Sequence, residues 1–217
     1  MIVLGIDTAL GACSAAVLDG DRVLAREHET MVRGHAERLA PMVDAVMRRA
    51  YLPFQALERL AVTVGPGTFT GQRVGLAFVR GLVVALKIPA AGVTTLDAMA
   101  AEALAQSNAP WAVACVDAKR GEAYLGARGQ NGVLLEPMLL AVEAAQARVR
   151  HMTLEQGSEP VLAGNGAYLL SGITEPATVT QPDAVFVALL GAARPSPSAP
   201  PRPLYLREPD AKLPGSA

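Results

Sequence analysis

The sequence has few cysteines, few histidines and no excess of either charge. Cys13 and Cys115 are too few for a disulfide scaffold and are typical of a protein kept in a reducing cytoplasm. The 19 basic and 20 acidic side chains nearly cancel and form no basic run, which argues against a protein that grips nucleic acid through its own surface. None of the three histidines has a partner at metal-ligand spacing, so we expect no metal site.

The sequence also lacks an uninterrupted apolar segment long enough to cross a membrane. Its longest apolar stretch, 74–93, is broken by Arg80, Lys87 and Pro89, whereas a spanning helix needs about 20 nearly uninterrupted apolar residues. The apolar run at the N-terminus has no basic residues before it and meets Asp7, so it predicts a buried strand rather than a targeting segment. We expect a cytoplasmic protein without membrane contact, and we interpret 74–93 as a buried helix followed by a strand.

The first part of the chain alternates between strand and helix patterns. Apolar residues at spacings of three and four predict an amphipathic helix over 34–50, in which Pro41 predicts a kink or a later start. Thr94 and Asp97 predict a capping box that begins another helix. The predicted strands are 2–7, 12–18, 22–30 (polar and near an edge), 60–65 and 89–93, and the other predicted helices are 70–86 and one ending near 105.

The second part of the chain repeats this plan less regularly. Residues 6–11 and 116–121 each place an Asp at a strand end, a Gly four residues later and then a second strand, which favours a duplicated two-lobe architecture. The element order predicts an α/β fold with mixed sheets flanked by helices. The predicted strands are 111–117, 122–128, 133–140 and 160–163, and the predicted helices are 141–150 and 183–193. We divide the chain into an N-terminal lobe (1–108), a smaller C-terminal lobe (109–194) and a Pro-rich strap and tail (195–217).

Two features could carry chemistry. Asp7 at a strand end could hold a metal or orient a water, although a carboxylate that caps the turn is the simpler interpretation. The loop 65–71 joins a strand to a helix N-terminus, where backbone N–H groups favour an anion. It matches neither Gly-x-x-x-x-Gly-Lys-Ser/Thr nor Gly-x-Gly-x-x-Gly, and the alternative is a tight connection that brings the helix close to the sheet.

Several motifs together resemble a known family. The Gly-Pro-Gly-Thr-Phe-Thr-Gly block at 65–71 is the most specific, and the others are Gly-Ile-Asp-Thr at 5–8, His-Ala-Glu-Arg-Leu at 35–39, Asp-Ala-Lys-Arg-Gly-Glu at 117–122, Gly-Asn-Gly-Ala at 164–167 and Tyr-Leu-Arg at 205–207. The chain is similar to the TsaB (YeaZ) family, the accessory subunits of the bacterial machinery that makes threonylcarbamoyladenosine at position 37 of tRNA. The resemblance implies an actin-like fold of the ribonuclease-H-like superfamily without transferase activity of its own.

The resemblance also implies partners and contact residues. They are a TsaD-like catalytic subunit, a TsaE-like ATPase, a homodimer in the absence of TsaD, and tRNA only through the complex. The family pairs through its first two helices. Carried over, that surface is His35, Leu39, Met42, Val43, Val46, Met47, Thr70, Arg73, Val74, Ala77 and Phe78.

The resemblance further implies vestigial phosphate-site loops. It implies no cofactor bound by this chain alone, and it leaves open that ATP or ADP binds at the interface of the complex. These loop residues are Asp7, Thr8, Gly11, Gly65, Gly67, Asp117, Gly121, Gly164 and Gly166. The alternative is a nucleotide-binding ATPase or small kinase of the same superfamily. It would need Asp7, Asp117 and the turn 164–166 to converge on ATP and a metal. No nucleophile–base pair or zinc motif supports a peptidase.

Overall fold

The computed structural model describes residues 1–171, 177–195 and 199–207. The strands are β1 Ile2–Asp7, β2 Ala12–Asp19, β3 Arg22–Thr30, β4 Arg59–Gly65, β5 Ala90–Thr94, β6 Trp111–Lys119, β7 Glu122–Gly129, β8 Gly132–Ala141 and β9 Val161–Ala163. The helices are α1 His35–Arg49, α2 Phe69–Leu86, α3 Thr95–Ala105, α4 Val142–Gln156, α5 Ala167–Ser171 and α6 Ala184–Ala193, with a 3₁₀ turn at Phe54–Ala56.

The strands form two mixed sheets with related topologies. The first has the order β3-β2-β1-β4-β5 and the second the order β8-β7-β6-β9. In each sheet three consecutive strands pair antiparallel, and a later strand pairs parallel to the first of them, β4 with β1 and β9 with β6. This shared arrangement confirms the two-lobed α/β fold with mixed sheets, and β3 lies at an edge as its polar sequence predicts.

Helices cover both faces of each sheet, because strand side chains alternate between the two faces. In the first lobe Leu4 and Ile6 belong to the core cluster that contains α1 and α2. Val3 and Leu18 belong to a separate cluster with α6. In the second lobe α3 packs on one face of β6 and α4 on the other.

Two helices pack mainly with the lobe to which their position in the chain did not assign them. Helix α3, within 1–108, packs its Leu96 and Met99 with β6 and β9 of the second sheet, while its Ala98 also joins the core cluster of the first lobe. Helix α6, within 109–194, packs on β1, β2 and β4 of the first sheet. The two helices therefore cross over between the lobes, and a division by sequence position alone misplaces both.

Most element bounds lie within a residue or two of the predictions; for example, β6 continues past the predicted end at 117 to Lys119. Helices show the other notable differences. Helix α1 begins at His35 and continues through the exposed Pro41, so the later start does not occur; five buried apolar side chains hold the helix on the sheet. Helix α4 extends to Gln156, where Gly157 ends it in the left-handed conformation with φ 65°. The short helix α5 was not predicted.

The strap contacts both lobes over the residues that the structure describes. Leu204 N donates to Val64 O at 2.7 Å, and an Arg80 guanidinium N–H donates to Pro201 O at 2.9 Å. Arg207 forms an ion pair with Glu122 at the start of β7. Residues 196–198 and 208–217 of the predicted strap and tail lie outside the described residues.

Candidate functional site

The loop 65–71 packs against the turn between β1 and β2. The two backbones lie so close that the glycines of the loop could not carry side chains. A Cβ atom on Gly67 would lie 2.3 Å from Ala9 O, and one on Gly71 would lie 2.1 Å from Thr8 O. Thr68 N donates to Ala9 O at 2.8 Å across the same contact. Glycine is required at both positions because the neighbouring backbone occupies the space.

Two N–H groups near the start of α2, those of Gly71 and Gln72, already have acceptors within the chain. Thr68 Oγ1 accepts from Gly71 N at 3.1 Å, and Thr68 O accepts from Gln72 N at 3.1 Å. Thr8 Oγ1 accepts from Gly75 N at 3.1 Å and donates to Gly71 O at 2.7 Å. A phosphate at a helix start needs N–H groups that are free to donate. Two of these groups are engaged, and the backbone of the neighbouring turn fills the space beside Gly67 and Gly71. The geometry therefore favours the tight-connection interpretation of this loop over an anion site.

Asp7 lies fully buried beside this loop. Its Oδ1 accepts from Ala9 N at 3.0 Å and from Thr63 Oγ1 at 2.6 Å, while Oδ2 has no hydrogen-bond partner. Burial raises the pKa of Asp7 to about 7, and the nearby negative charge of Asp183 acts in the same direction. Asp7 is a cap for the turn whose second oxygen can carry a proton near neutral pH.

Asp117 has the corresponding position in the second lobe but a different environment. Lys119 Nζ donates to its Oδ2 at 2.7 Å, and the Tyr168 hydroxyl donates to the same oxygen at 3.1 Å. Partial burial acts to raise the pKa of Asp117, but these hydrogen bonds outweigh it and the pKa is lowered. The carboxylate of Asp117 is thus ionised and already paired.

The predicted glycines of the second lobe also make close backbone contacts. A Cβ atom on Gly164 would lie 2.0 Å from Cys115 O, and one on Gly166 would lie 2.6 Å from Asp117 N. Of the other predicted glycines, Gly11 and Gly121 lie in turns, and Gly65 is the last residue of β4. Gly11 N donates to Gln181 Oε1 at 2.8 Å, and Gly65 and Gly121 have positive φ. Within the described ranges, no three His, Cys, Asp or Glu side chains form a group that could hold a metal ion.

An open apolar groove of about 480 Å³ lies between α1 and α2. Helix α1 contributes its first turns, and α2 contributes its N-terminal half. Six of the eleven predicted contact residues line the groove, together with two others. Its lining is Ala36, Leu39, Phe69, Thr70, Arg73, Val74, Ala77 and Phe78.

The structure corrects the α1 part of the predicted contact surface. Leu39 forms only the floor of the groove, with 1% of its surface exposed. The other apolar residues of the stripe face the first sheet and belong to the core of the lobe; they are Met42, Val43, Val46 and Met47. His35 is partly buried, and its Nε2 lies 3.1 Å from Leu10 O. A stripe of this period shows which face of a helix is buried, but here the chain's own sheet covers that face.

Helix α2 is less buried than the sequence predicts. It is the one described helix long and apolar enough to span a membrane, with a mean hydropathy of 1.3 over 18 residues, and a single such helix is only a weak indication. Only 28% of those residues are buried, on the face that contains Gly75, Leu76 and Val79. Ala77 and Val84 are exposed. The expected buried helix therefore presents much of its apolar surface to solvent.

Sequence reasoning missed two groove residues, Ala36 and Phe69. Ala36 precedes Leu39 by three positions, which places it on the same side of α1, and this spacing could have identified it. Phe69 is 57% exposed, and no local pattern distinguishes an exposed phenylalanine at a helix start from a buried one. Only the structure shows that Phe69 lines the groove.

Comparisons with known proteins agree with this architecture. The family model for tRNA N6-adenosine threonylcarbamoyltransferase (TsaD) matches residues 24–196. The protein TsaB of Escherichia coli, named for tRNA threonylcarbamoyladenosine biosynthesis, is 36% identical over 135 residues, 61% of this chain and 58% of the relative. An uncharacterised protein of Mycobacterium bovis is 35% identical over 215 residues, 97% of this chain and 93% of the relative.

A solved structure from Pseudomonas aeruginosa, described as similar to the peptidase YeaZ, has a TM-score of 0.77 at 28% identity and covers 95% of this chain and 99% of that one. Component A of (R)-2-hydroxyglutaryl-CoA dehydratase from Acidaminococcus fermentans, with a TM-score of 0.50 at 12% identity over 88% of this chain and 97% of its own, shares the fold alone. The matched region spans only 58% and 63% of the TsaB proteins of Escherichia coli and Buchnera aphidicola.

The chain belongs to the threonylcarbamoyltransferase family that the model describes, and within it to the proteins named TsaB or YeaZ.

Proposed function

We propose that this protein is a non-catalytic scaffold subunit in the biosynthesis of threonylcarbamoyladenosine at adenosine 37 of tRNA. Curated relatives from several bacteria are named for the biosynthesis of this nucleoside. In this role the protein pairs with a TsaD-like subunit that performs the transfer. The chain then contributes a binding surface instead of reacting groups.

The observation that carries the proposal is the uncovered apolar groove between α1 and α2. Large uncovered apolar surfaces on soluble proteins mark contact sites, and this one is continuous with the exposed side of α2. Each of the carboxylates of Asp7 and Asp117 accepts a hydrogen bond from a side chain of its own lobe. The features of this chain thus favour partner binding over turnover.

The match to the TsaD family model supports a partner of related fold. Two chains that share a fold can each present the equivalent helix pair, which gives a contact close to two-fold symmetry. A second copy of this chain would use the same surface when the TsaD-like subunit is absent. A specific interface of ordinary size buries about 800 Å² on each partner, more than the groove alone, so the exposed side of α2 completes it.

The other components follow from charge and from the family. A net charge of −1 leaves little attraction for phosphates, so tRNA contacts the complex through the other subunits. We propose that a TsaE-like ATPase joins the pair, and that any ATP or ADP lies at the interface of the complex.

The experiment introduces a charge into the groove with Ala77→Asp. Ala77 is exposed in the free chain, so folding should be unaffected. Pairing would bury the new carboxylate without a partner, which costs several kcal/mol and should weaken binding at least ~100-fold. Light scattering of each variant, mixed with the TsaD-like subunit from the same organism, measures the complex. Calorimetry gives its affinity.

The matched control is Ala147→Asp, since Ala147 is also an exposed alanine and lies in helix α4 of the second lobe. It should bind like the wild-type protein. Val46→Asp is not a useful variant, because Val46 lies in the core and the substitution would disrupt folding. A wild-type chain that forms no heterodimer would reject the scaffold function. If Ala77→Asp binds the TsaD-like subunit as tightly as the wild type does, the α1–α2 groove is not the contact surface.

A further inference from the structure

Three exposed side chains at one end of the groove hold one another in place. The Phe69 and Tyr205 rings stack with centroids 5.9 Å apart and an interplanar angle of 28°. The Arg73 guanidinium carbon lies 3.5 Å from the Phe69 ring centroid. Arg73 Nε donates to the Tyr205 hydroxyl at 3.1 Å. The strap therefore places the Tyr205 side chain against the first turns of α2.

The strap does not need Tyr205 to stay attached to the first lobe. Leu204 packs against the core cluster, and its N–H bonds to Val64 O. Pro201 O accepts a hydrogen bond from Arg80, and Pro201 lies so near Gly92 that a Cβ atom there would be 3.2 Å from Pro201 Cβ. Tyr205 itself remains 46% exposed and Phe69 57% exposed. Two large aromatic rings are thus held in solvent beside an open apolar groove.

We propose that Tyr205 is part of the docking surface, as a wall that the strap adds to the α1–α2 groove, and that it contacts the TsaD-like subunit. This inference rests on the proposed function and extends it from the two helices to the strap. Phe69 and Arg73 line the groove itself, so Tyr205 continues the surface without a gap.

The chemistry of the cluster suits a protein partner with an apolar helix face and an acidic side chain. Tyrosine and arginine are the residue types that most often dominate binding energy at interfaces. Their mutual contacts reduce the side-chain entropy lost when a partner docks. Among the described residues Arg73 forms no ion pair. Its guanidinium is therefore suited to a carboxylate of the partner.

The experiment compares Tyr205→Ala with Tyr205→Phe in the full-length chain. Calorimetric titration with the TsaD-like subunit measures affinity, and thermal melting of the free chain measures stability. Tyr205→Ala should weaken binding at least ~10-fold while the melting temperature stays near that of the wild type. Tyr205→Phe keeps the ring stack and loses only the Arg73 hydrogen bond, so its affinity should stay within about threefold of the wild type.

Two controls separate a contact role from an anchoring role. Leu204→Ala weakens the partly buried anchor of the strap without removing the exposed ring. Tyr51→Ala removes a second exposed tyrosine, 93% accessible, away from the groove. Tyr51→Ala should bind normally, and Leu204→Ala should lose less affinity than Tyr205→Ala. An equal loss in Leu204→Ala would mean that Tyr205 acts only through strap attachment and would overturn the proposal.

The outcome for Ala77→Asp distinguishes failure of this inference from failure of the proposed function. If Tyr205→Ala binds within twofold of the wild type while Ala77→Asp does not bind, the groove is the interface and the strap is not part of it. If both variants bind like the wild type, the surface proposed for the whole protein is wrong.

Discussion

Asp7 and Asp117 stand at the same point of two related sheets and have opposite properties. Asp7 ends β1, and Asp117 lies two residues before the end of β6. Each of these strands pairs antiparallel with the next strand and parallel with a later one. Asp7 is fully buried with one oxygen unpartnered, whereas Asp117 is partly exposed and paired with Lys119. Burial raises the pKa of Asp7, and hydrogen bonds lower that of Asp117.

The difference arises from what lies over each turn. In the first lobe the loop 65–71 and the start of α2 close over Thr8 and Ala9 and exclude solvent from Asp7. In the second lobe the turn 164–166 presses on the backbone at Cys115 but leaves the Asp117 carboxylate accessible to Lys119 and Tyr168. The shared topology therefore places a carboxylate at the same point of both sheets. Whether that carboxylate is ionised depends on neighbouring residues that differ between the two lobes.

The largest expected effect is a pH-dependent stability from Asp7. Because folding raises its pKa from 3.8 to about 7, the native state keeps a proton that the unfolded state loses between these values. Stability from this group is therefore full below pH 3.8 and falls as pH rises to about 7, by up to ~4 kcal/mol. Denaturant unfolding from pH 4 to 8 should show this fall in the wild type and a flatter profile in Asp7→Asn.

Asp7→Asn must be compared with the wild type by the pH dependence of its stability, not by its stability at one pH. The asparagine NH₂ group would place two N–H donors where Oδ2 has no partner, and the resulting loss of stability does not vary with pH. Glu102 contributes a slope of the same sign, since burial raises its pKa to about 7. Glu102→Gln is therefore the control, and it should remove a different part of the slope. An unchanged profile in Asp7→Asn would show that Asp7 is ionised throughout this range.

The next effect tests how tightly the loop 65–71 closes the first lobe. Gly71→Ala places a methyl group 2.1 Å from Thr8 O, which forces the backbones apart and should cost about 3 kcal/mol. Gly81→Ala in the same helix meets nothing within 4 Å and should gain up to about 1 kcal/mol from helix propensity. Denaturant midpoints measure both. Similar midpoints for the two variants would contradict the close contact.

The sequence predicted the elements well because its periodic patterns and turn residues are local. The strand 2–7 and the strand 22–30 agree with the structure at both ends. Thr94 Oγ1 accepts from Asp97 N at 3.2 Å, which is one half of the predicted capping box, while the Asp97 carboxylate pairs with Arg128 instead of closing the box. These features depend on a few neighbouring residues. They need no knowledge of what lies across the fold.

The candidate site was only partly predictable because exposure depends on distant elements. Helices α1 and α2 both show apolar stripes, yet the sheet buries Val46 and leaves Ala77 exposed. The crossing of α3 and α6 between lobes and the return of Tyr205 to Phe69 are likewise long-range. Local periodicity contains no information on them, since it identifies an apolar face but not what covers it.

The smallest effect comes from Asp117 and has the opposite dependence on pH. Because folding lowers the pKa of Asp117, its contribution is present above about pH 3.9, the usual value for Asp, and is lost as pH falls through the lower folded pKa. The pair with Lys119 is solvent-accessible, so Asp117→Asn should cost less than about 1 kcal/mol at neutral pH. In chemical unfolding, the variant and the wild type should converge at acidic pH, below the range in which Asp7 titrates. A difference that instead grew toward low pH would mean that the two strand-end carboxylates behave alike, and the contrast between the lobes would not hold.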